Sequence, residues 1–180
     1  LSFESDFPTT LAAARGGAEW AWTLIYREYS SPVLRYLRAQ RASEPEDLLG
    51  EVFVQVVRNL PTFAGEEREF RSWLFMIARN RLVDSWRRSG RSPVDIVAHE
   101  ELAAHGGTGD VERDAMRSLE EARVLETLSR LTPDQRDVLF LRYFGQLTAE
   151  ETARVVGKRV GAVKALQARG LAAIRREMSR

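Results

Sequence analysis

The stretch Gln146-Leu-Thr-Ala-Glu-Glu-Thr-Ala-Arg-Val-Val-Gly-Lys-Arg-Val-Gly-Ala-Val-Lys-Ala-Leu-Gln-Ala-Arg169, continuing to Arg176, reads as a helix-turn-helix. Thr148 is placed to cap a first helix, with Glu151 three residues on completing a capping box. That helix is expected to run to about Val156 and to stop at Gly157, where a residue without a β-carbon turns left-handed at little cost. A second helix begins near Val160. At about 100° per residue, Val163, Leu166, Gly170 and Ile174 share one arc of it, and Lys164, Arg169, Arg175 and Arg176 share the other. Ala153 is small where the two helices cross. One packed face and one cationic face is the pattern of a helix that enters a DNA groove and contacts base edges and phosphates. The plain alternative is an amphipathic hairpin with a solvated basic face.

Upstream of this motif, Thr132-Pro-Asp-Gln135 is a second capping box, followed by Val138, Leu139, Leu141, Arg142 and Phe144 and stopped at Gly145. Before it, Leu119, Ala122, Leu125 and Leu128 predict a helix over 112–130. Four helices in some 65 residues can bury one small core. From Ser89 to about Arg113 no period holds, acids dominate, and Gly90, Pro93, Gly106, Gly107 and Gly109 punctuate the chain. This reads as a flexible acidic linker, dividing the chain into 1–90, 91–113 and 114–180.

The N-terminal part is also helical in pattern, and no stretch signals a strand. A short helix is expected over Pro8 to Arg15, stopped by Gly16 and Gly17. A longer one follows from Glu19 to about Tyr29, restarting at Pro32 and running to about Gln40, with Trp20, Leu24, Ile25, Val33, Leu34 and Leu37 as its apolar positions. Ser43-Glu-Pro-Glu46 reads as a capping box ahead of a helix whose stripe is Leu48, Leu49, Val52, Phe53, Val56, Val57 and Leu60. Beside that stripe Asp47, Glu51, Gln55 and Arg58 line up one turn apart, either as a solvated face or as an acidic docking strip for a basic partner. After Pro61-Thr-Phe-Ala-Gly65 a fourth helix is expected from near Glu69 to about Arg88, packing through Phe70, Trp73, Leu74 and Ile77. It is rich in aromatics, with Phe75 and Trp86 besides. Trp73, Met76, Asn80, Asp84 and Arg87 form a second arc mixing ring, amide and cation, which suits unpaired bases. The competing reading makes these rings core.

The 180 residues contain no Cys, which removes disulfides and thiolate chemistry. His99 and His105 lie in the aperiodic segment, so neither a metal site nor a histidine-based triad is expected, and no cofactor is called for. No apolar run approaches the ~20 residues of a membrane span, and the first 17 residues lack a signal-peptide pattern. A cytoplasmic location without membrane insertion is therefore expected. The net charge of +1 is unevenly spread: residues 1–92 carry +1, 93–122 carry −6 and 123–180 carry +6. The basic end fits attraction to phosphate.

In their order along the chain these segments resemble the extracytoplasmic-function (ECF) group of bacterial sigma factors, within the sigma-70 family. Glu46-Asp-Leu-Leu-Gly-Glu-Val-Phe-Val-Gln55 is similar to that family's helix for gripping core RNA polymerase. Phe70-Arg-Ser-Trp-Leu-Phe-Met-Ile-Ala-Arg-Asn-Arg-Leu-Val-Asp84 is similar to its segment for melting and reading the minus ten element. Leu131-Thr-Pro-Asp-Gln-Arg-Asp-Val-Leu139 and the helix-turn-helix are similar to its domain for the minus thirty-five element. The resemblance implies two all-α domains that engage polymerase separately, joined by a linker that threads toward the polymerase cleft. It implies polymerase contacts at Asp47, Leu48, Glu51 and Gln55, and minus ten contacts at Phe63, Trp73, Met76, Asn80, Asp84 and Arg87. For the minus thirty-five duplex it implies Arg159, Lys164, Ala165, Gln167, Ala168 and Arg169.

Where the family often has Ser-Arg after Val163-Lys164, this chain has Ala165 and Leu166, so Ala165 and Ala168 offer apolar contact only, for instance with a thymine methyl. Control by an anti-sigma protein is also implied. No catalytic residue is expected. The rival reading is a dimeric DNA-binding regulator that works without polymerase, which predicts symmetric target sites.

Overall fold

A computed structural model describes residues 3–90, 123 and 126–179, and every regular element among them is helical. The N-terminal half comprises α1 (Phe3–Arg15), α2 (Glu19–Ala39), α3 (Pro45–Asn59) and α4 (Glu67–Arg88), with a single 3-10 turn, Leu60–Thr62, between α3 and α4. The C-terminal half comprises α5 (Pro133–Tyr143), α6 (Ala149–Val156) and α7 (Val160–Met178), preceded by a helical turn at residues 126–129. The expected linker, both histidines and most of the helix expected over 112–130 lie outside the described residues.

Several helix ends form as their sequences require. Thr132 Oγ1 accepts the Gln135 N–H and the Gln135 side chain accepts the Thr132 N–H. Thr148 and Glu151 make the same reciprocal pair at 3.2 and 2.7 Å. Gly157 ends α6 at φ 68, ψ 34, the left-handed region, and the next N–H closes on the Ala153 carbonyl at 3.0 Å.

Others differ from expectation. The helix α1 starts at Phe3, ahead of Pro8, and buries Phe7 and Leu11. α2 does not restart at Pro32 but runs through it: the proline removes one donor, yet Tyr29, Val33, Tyr36 and Leu37 on either side are all buried and hold the helix continuous. The capping box expected at Ser43 is absent. Pro45, which has no N–H and a fixed φ, opens α3 instead, and the Glu46 carboxylate is taken by Arg38 at 2.7 Å. Trp20, Leu24 and Val57, read as packing residues, are exposed, because α2 and α3 pack on each other and on α4 through Ala21, Ile25, Val52, Phe53 and Val56.

The buried residues of the two halves form one continuous core. At the seam the Tyr36 ring lies edge-on to Phe75 of its own half, at 5.7 Å, and to Phe140 of the other, at 5.5 Å. Its hydroxyl donates to Asp137 at 2.8 Å, and Arg79 Nε donates to the other Asp137 oxygen at 2.9 Å. Burial pushes the Asp137 carboxyl up; Arg79 and Tyr36 pull it back without cancelling that effect. Burial and Asp137 together hold the Tyr36 hydroxyl well above its usual range, so it stays a donor. Further along, Arg68 Nε donates to Glu151 at 2.7 Å, Arg71 to the Gln146 side chain at 2.6 Å, and Arg41 to the Ser129 carbonyl at 3.2 Å.

Inside the C-terminal half the Arg136 guanidinium donates to the Leu128, Ser129 and Leu131 carbonyls. Burial and the nearby Arg41 charge lower its pKa to about 10, still leaving it a cation at neutral pH. Tyr36→Phe should remove one donor from a buried carboxylate and cost about 1–3 kcal/mol at neutral pH, measured by urea unfolding.

Candidate nucleic-acid interface

The helix-turn-helix is built by close approach. Val163 and Leu166 of α7 are buried, and an added β-carbon on Gly170 would lie 2.8 Å from Leu139 Cδ1, so glycine there lets α7 sit directly on α5. Ala153 is buried at the crossing of α6 with its neighbours. With that face used, Arg159, Lys164, Ala165, Ala168 and Arg169 are all exposed on one side. Gln167 is half-buried and engaged: its carbonyl accepts from Arg142 at 3.2 Å and its amide donates to Tyr143 at 3.1 Å. The result is a convex cationic ridge with small residues between its cations, a shape suited to a major groove.

On α4 the outward arc stands apart from the seam. Arg68, Arg71, Phe75 and Arg79 face the C-terminal half; Trp73, Met76, Asn80, Asp84 and Arg87 lie about 120° further round the helix. Met76 is 36% exposed, and Asn80 and Arg87 are exposed. Asp84 sits between Arg81 and Arg87 at 3.7 and 3.6 Å. Phe63, from the loop before α4, stacks beside Trp73 with ring centroids 4.9 Å apart and stands edge-on to Phe70 at 5.5 Å. The rings near α4 differ in burial. Phe70 and Phe75 are core, while Trp73 and Phe63 are half-buried.

The strip on α3 is only partly as expected. Asp47 and Glu51 are exposed and Gln55 is half-buried, with Glu51 reached by Arg88 at 3.5 Å. Leu48 is 4% exposed and belongs to the core, so it supports the strip from beneath and offers no contact of its own. Beside it lies an apolar patch that the sequence reading missed: Val54 and Val57 are exposed, and exposed Tyr26 packs on Phe53 at 4.8 Å. Val54 was legible as an apolar residue outside the helix's own stripe; Tyr26 was not, because its exposure depends on how α2 meets α3.

Family models for sigma-70 region 2 and sigma-70 region 4 match residues 25–92 and 121–174. The chain is 34% identical over 152 residues to the ECF RNA polymerase sigma factor ShbA of Streptomyces griseus, covering 79% of each. It belongs to the ECF RNA polymerase sigma factors. Within that family it is 35% identical over 165 residues to BldN of Streptomyces coelicolor, an alignment spanning 91% of this chain and 62% of BldN. It is 32% identical to SigD of Mycobacterium tuberculosis, over 81% of this chain and 71% of SigD. Among solved structures, that of CnrH in complex with the cytosolic domain of CnrY matches this ECF chain with a TM-score of 0.66 at 25% identity, covering 95% of this chain and 96% of CnrH.

Glu151 ties the motif's cap to the seam. Burial alone would raise its carboxyl, but the Thr148 N–H and hydroxyl and the Arg68 guanidinium outweigh that and hold it below its ordinary 4.5. The fold therefore favours the charged form, and this stabilisation is complete above pH 4.5 and lost as the pH falls through the lowered value. Thermal melts of wild type and Glu151→Gln should show a stability gap near neutral pH that closes in acid.

Proposed function

We propose that this sigma factor brings core RNA polymerase to promoters by reading two elements with its two halves, taken as 1–90 and 114–180 with 91–113 between them. The observation that supports this reading is that one chain carries two exposed surfaces of different kinds, a cationic ridge on α7 and, on α4, half-buried rings beside an exposed amide and cation. In the minus thirty-five duplex Arg159, Lys164 and Arg169 contact phosphates and base edges, and Ala165 and Ala168 allow close apolar approach. Gln167 reads a base only by releasing Arg142 and Tyr143. At the minus ten element unpaired bases stack on Trp73 and Phe63, Asn80 and Met76 meet their edges, and Arg87, oriented by Asp84, meets the backbone.

Asp47, Glu51 and Gln55, with the neighbouring Val54 and Val57, form the polymerase-docking strip. Binding energy is the whole of the chemistry: stacking on protein rings offsets the unstacking of bases, which costs a few kcal/mol per step. The protein works in the cytoplasm; among the described residues no helix is long and apolar enough to cross a membrane.

The two elements are named for positions about 25 base pairs apart, roughly 85 Å of B-DNA at 3.4 Å per pair. With α6 lying against both α4 and α7, and packed helix axes about 8–10 Å apart, the two reading helices stand within roughly 20 Å of each other. The halves therefore part at the seam when both elements are engaged. An anti-sigma factor regulates the protein by favouring the closed arrangement; the structure of CnrH with the cytosolic domain of CnrY supports regulation through a bound protein.

Run-off transcription with bacterial core polymerase on a promoter library tests the reading: initiation should depend on the protein and share an asymmetric pair of upstream elements. Protein binding to symmetric duplex sites without initiation would overturn it. Lys164→Ala or Arg169→Ala should weaken minus thirty-five binding by about 1–3 kcal/mol. Asn80→Ala should leave duplex binding intact and reduce open-complex formation.

A further inference from the structure

The helix α1 enters none of the contacts above, yet its last side chain holds the loop that carries Phe63. Arg15 Nε donates to the Leu60 carbonyl at 3.3 Å and Arg15 Nη2 donates to the Phe63 carbonyl, across 45 and 48 residues of chain. Leu60 opens the 3-10 turn and Phe63 ends it, turning to extended geometry at φ −67, ψ 133. One planar guanidinium thus fixes both ends of the turn.

An open cleft of about 580 Å³ lies between α1 and the loop, lined by Phe7, Pro8 and Leu11 on one wall and by Pro61, Phe63 and Glu66 on the other. Arg15 spans it. On the far side the Phe63 ring rests on Phe70 and Trp73, and Phe7 of α1 packs on the same Phe70 ring at 5.4 Å. Gly65 closes the loop where an added β-carbon would lie 2.8 Å from Glu69 Cβ and 3.0 Å from Phe63 Cζ. The ring next to Trp73 is therefore positioned by α1 from behind.

We propose that Arg15 is a positioning residue for minus ten recognition. By holding the Leu60 and Phe63 carbonyls it sets where the Phe63 ring stands beside Trp73, and so how selectively an unpaired base is taken up. This rests on the minus ten reading of α4 given above. Two of the Arg15 donors act through the loop backbone.

The test uses the full chain bound to core polymerase, with Arg15→Ala, Arg15→Lys and Asn80→Ala. Binding is measured to a fluorescent single-stranded oligonucleotide carrying the minus ten element found by run-off, and to versions with each base replaced. Core affinity, minus thirty-five duplex binding and melting temperature are measured alongside. Arg15→Ala should weaken single-strand binding about 5- to 10-fold, the scale of one typical net hydrogen bond, and flatten the base preference at one position. Core affinity and duplex binding should not change, and Arg15→Lys, able to donate to one carbonyl, should recover part of the preference.

Wild-type affinity and base profile in Arg15→Ala, with Asn80→Ala impaired, would overturn the role of Arg15 alone. A uniform loss of single-strand, duplex and core binding in Arg15→Ala would overturn it too, as a folding effect. If Asn80→Ala also binds the oligonucleotide normally, the placement of the minus ten face on α4 has failed and the role of Arg15 falls with it.

Discussion

The helix α4 has to satisfy three surfaces at once, and much of the molecule follows from that constraint. Phe70, Leu74, Ile77 and Ala78 pack into the N-terminal core, Arg68, Arg71 and Arg79 meet the C-terminal half, and Trp73, Met76, Asn80 and Arg87 look outward. A helix committed to three environments cannot be divided into one apolar and one polar side. Its rings are shared out accordingly: Phe70 and Phe75, aimed at the core, are buried completely, and Trp73 and Trp86 are half-buried. The capping box at Glu66 and Glu69 fixes where this helix starts and hence which residue faces which surface.

The seam differs from the cores on either side of it. Its centre is aromatic, with Tyr36 between Phe75 and Phe140, and around it guanidinium, carboxylate and amide groups also meet. Such groups lose less on parting than apolar ones, because water replaces each hydrogen bond and repays the desolvation of the charge. Asp137 illustrates this: burial raises its carboxyl even with two donors in place, so exposure relieves a cost as it breaks the bonds. Interfaces of this mixed polar and aromatic character between parts of one chain are of the kind that relative motion accompanies.

The same economy appears in the two surfaces proposed to meet nucleic acid. On α7 the packed side is made flush by Gly170 and Val163, which leaves the cations on a ridge of controlled height. On α4 the outward surface is completed by a residue from outside the helix, Phe63, whose loop is held from α1 through Arg15. The first face is local in sequence and the second is assembled from three separate segments.

That difference explains what the sequence alone determined. The all-helical class, the helix-turn-helix with its Thr148–Glu151 cap and Gly157 turn, the cationic side of α7 and the outward arc of α4 were all legible, because caps, glycine turns and helical periodicity act over a few residues. What failed were judgements about burial and about competing partners. Leu48 and Val57 share one helical stripe, yet only Leu48 is covered; Glu46 had a capping role open to it and was taken by Arg38 instead. The seam at Tyr36, Asp137 and Arg79, the carbonyl cage around Arg136 and the Arg15 hold on the Phe63 loop were decided by tertiary structure alone. Each joins groups whose meeting depends on how whole helices dock, and docking is set by the summed shape of two surfaces, which no short stretch of sequence records.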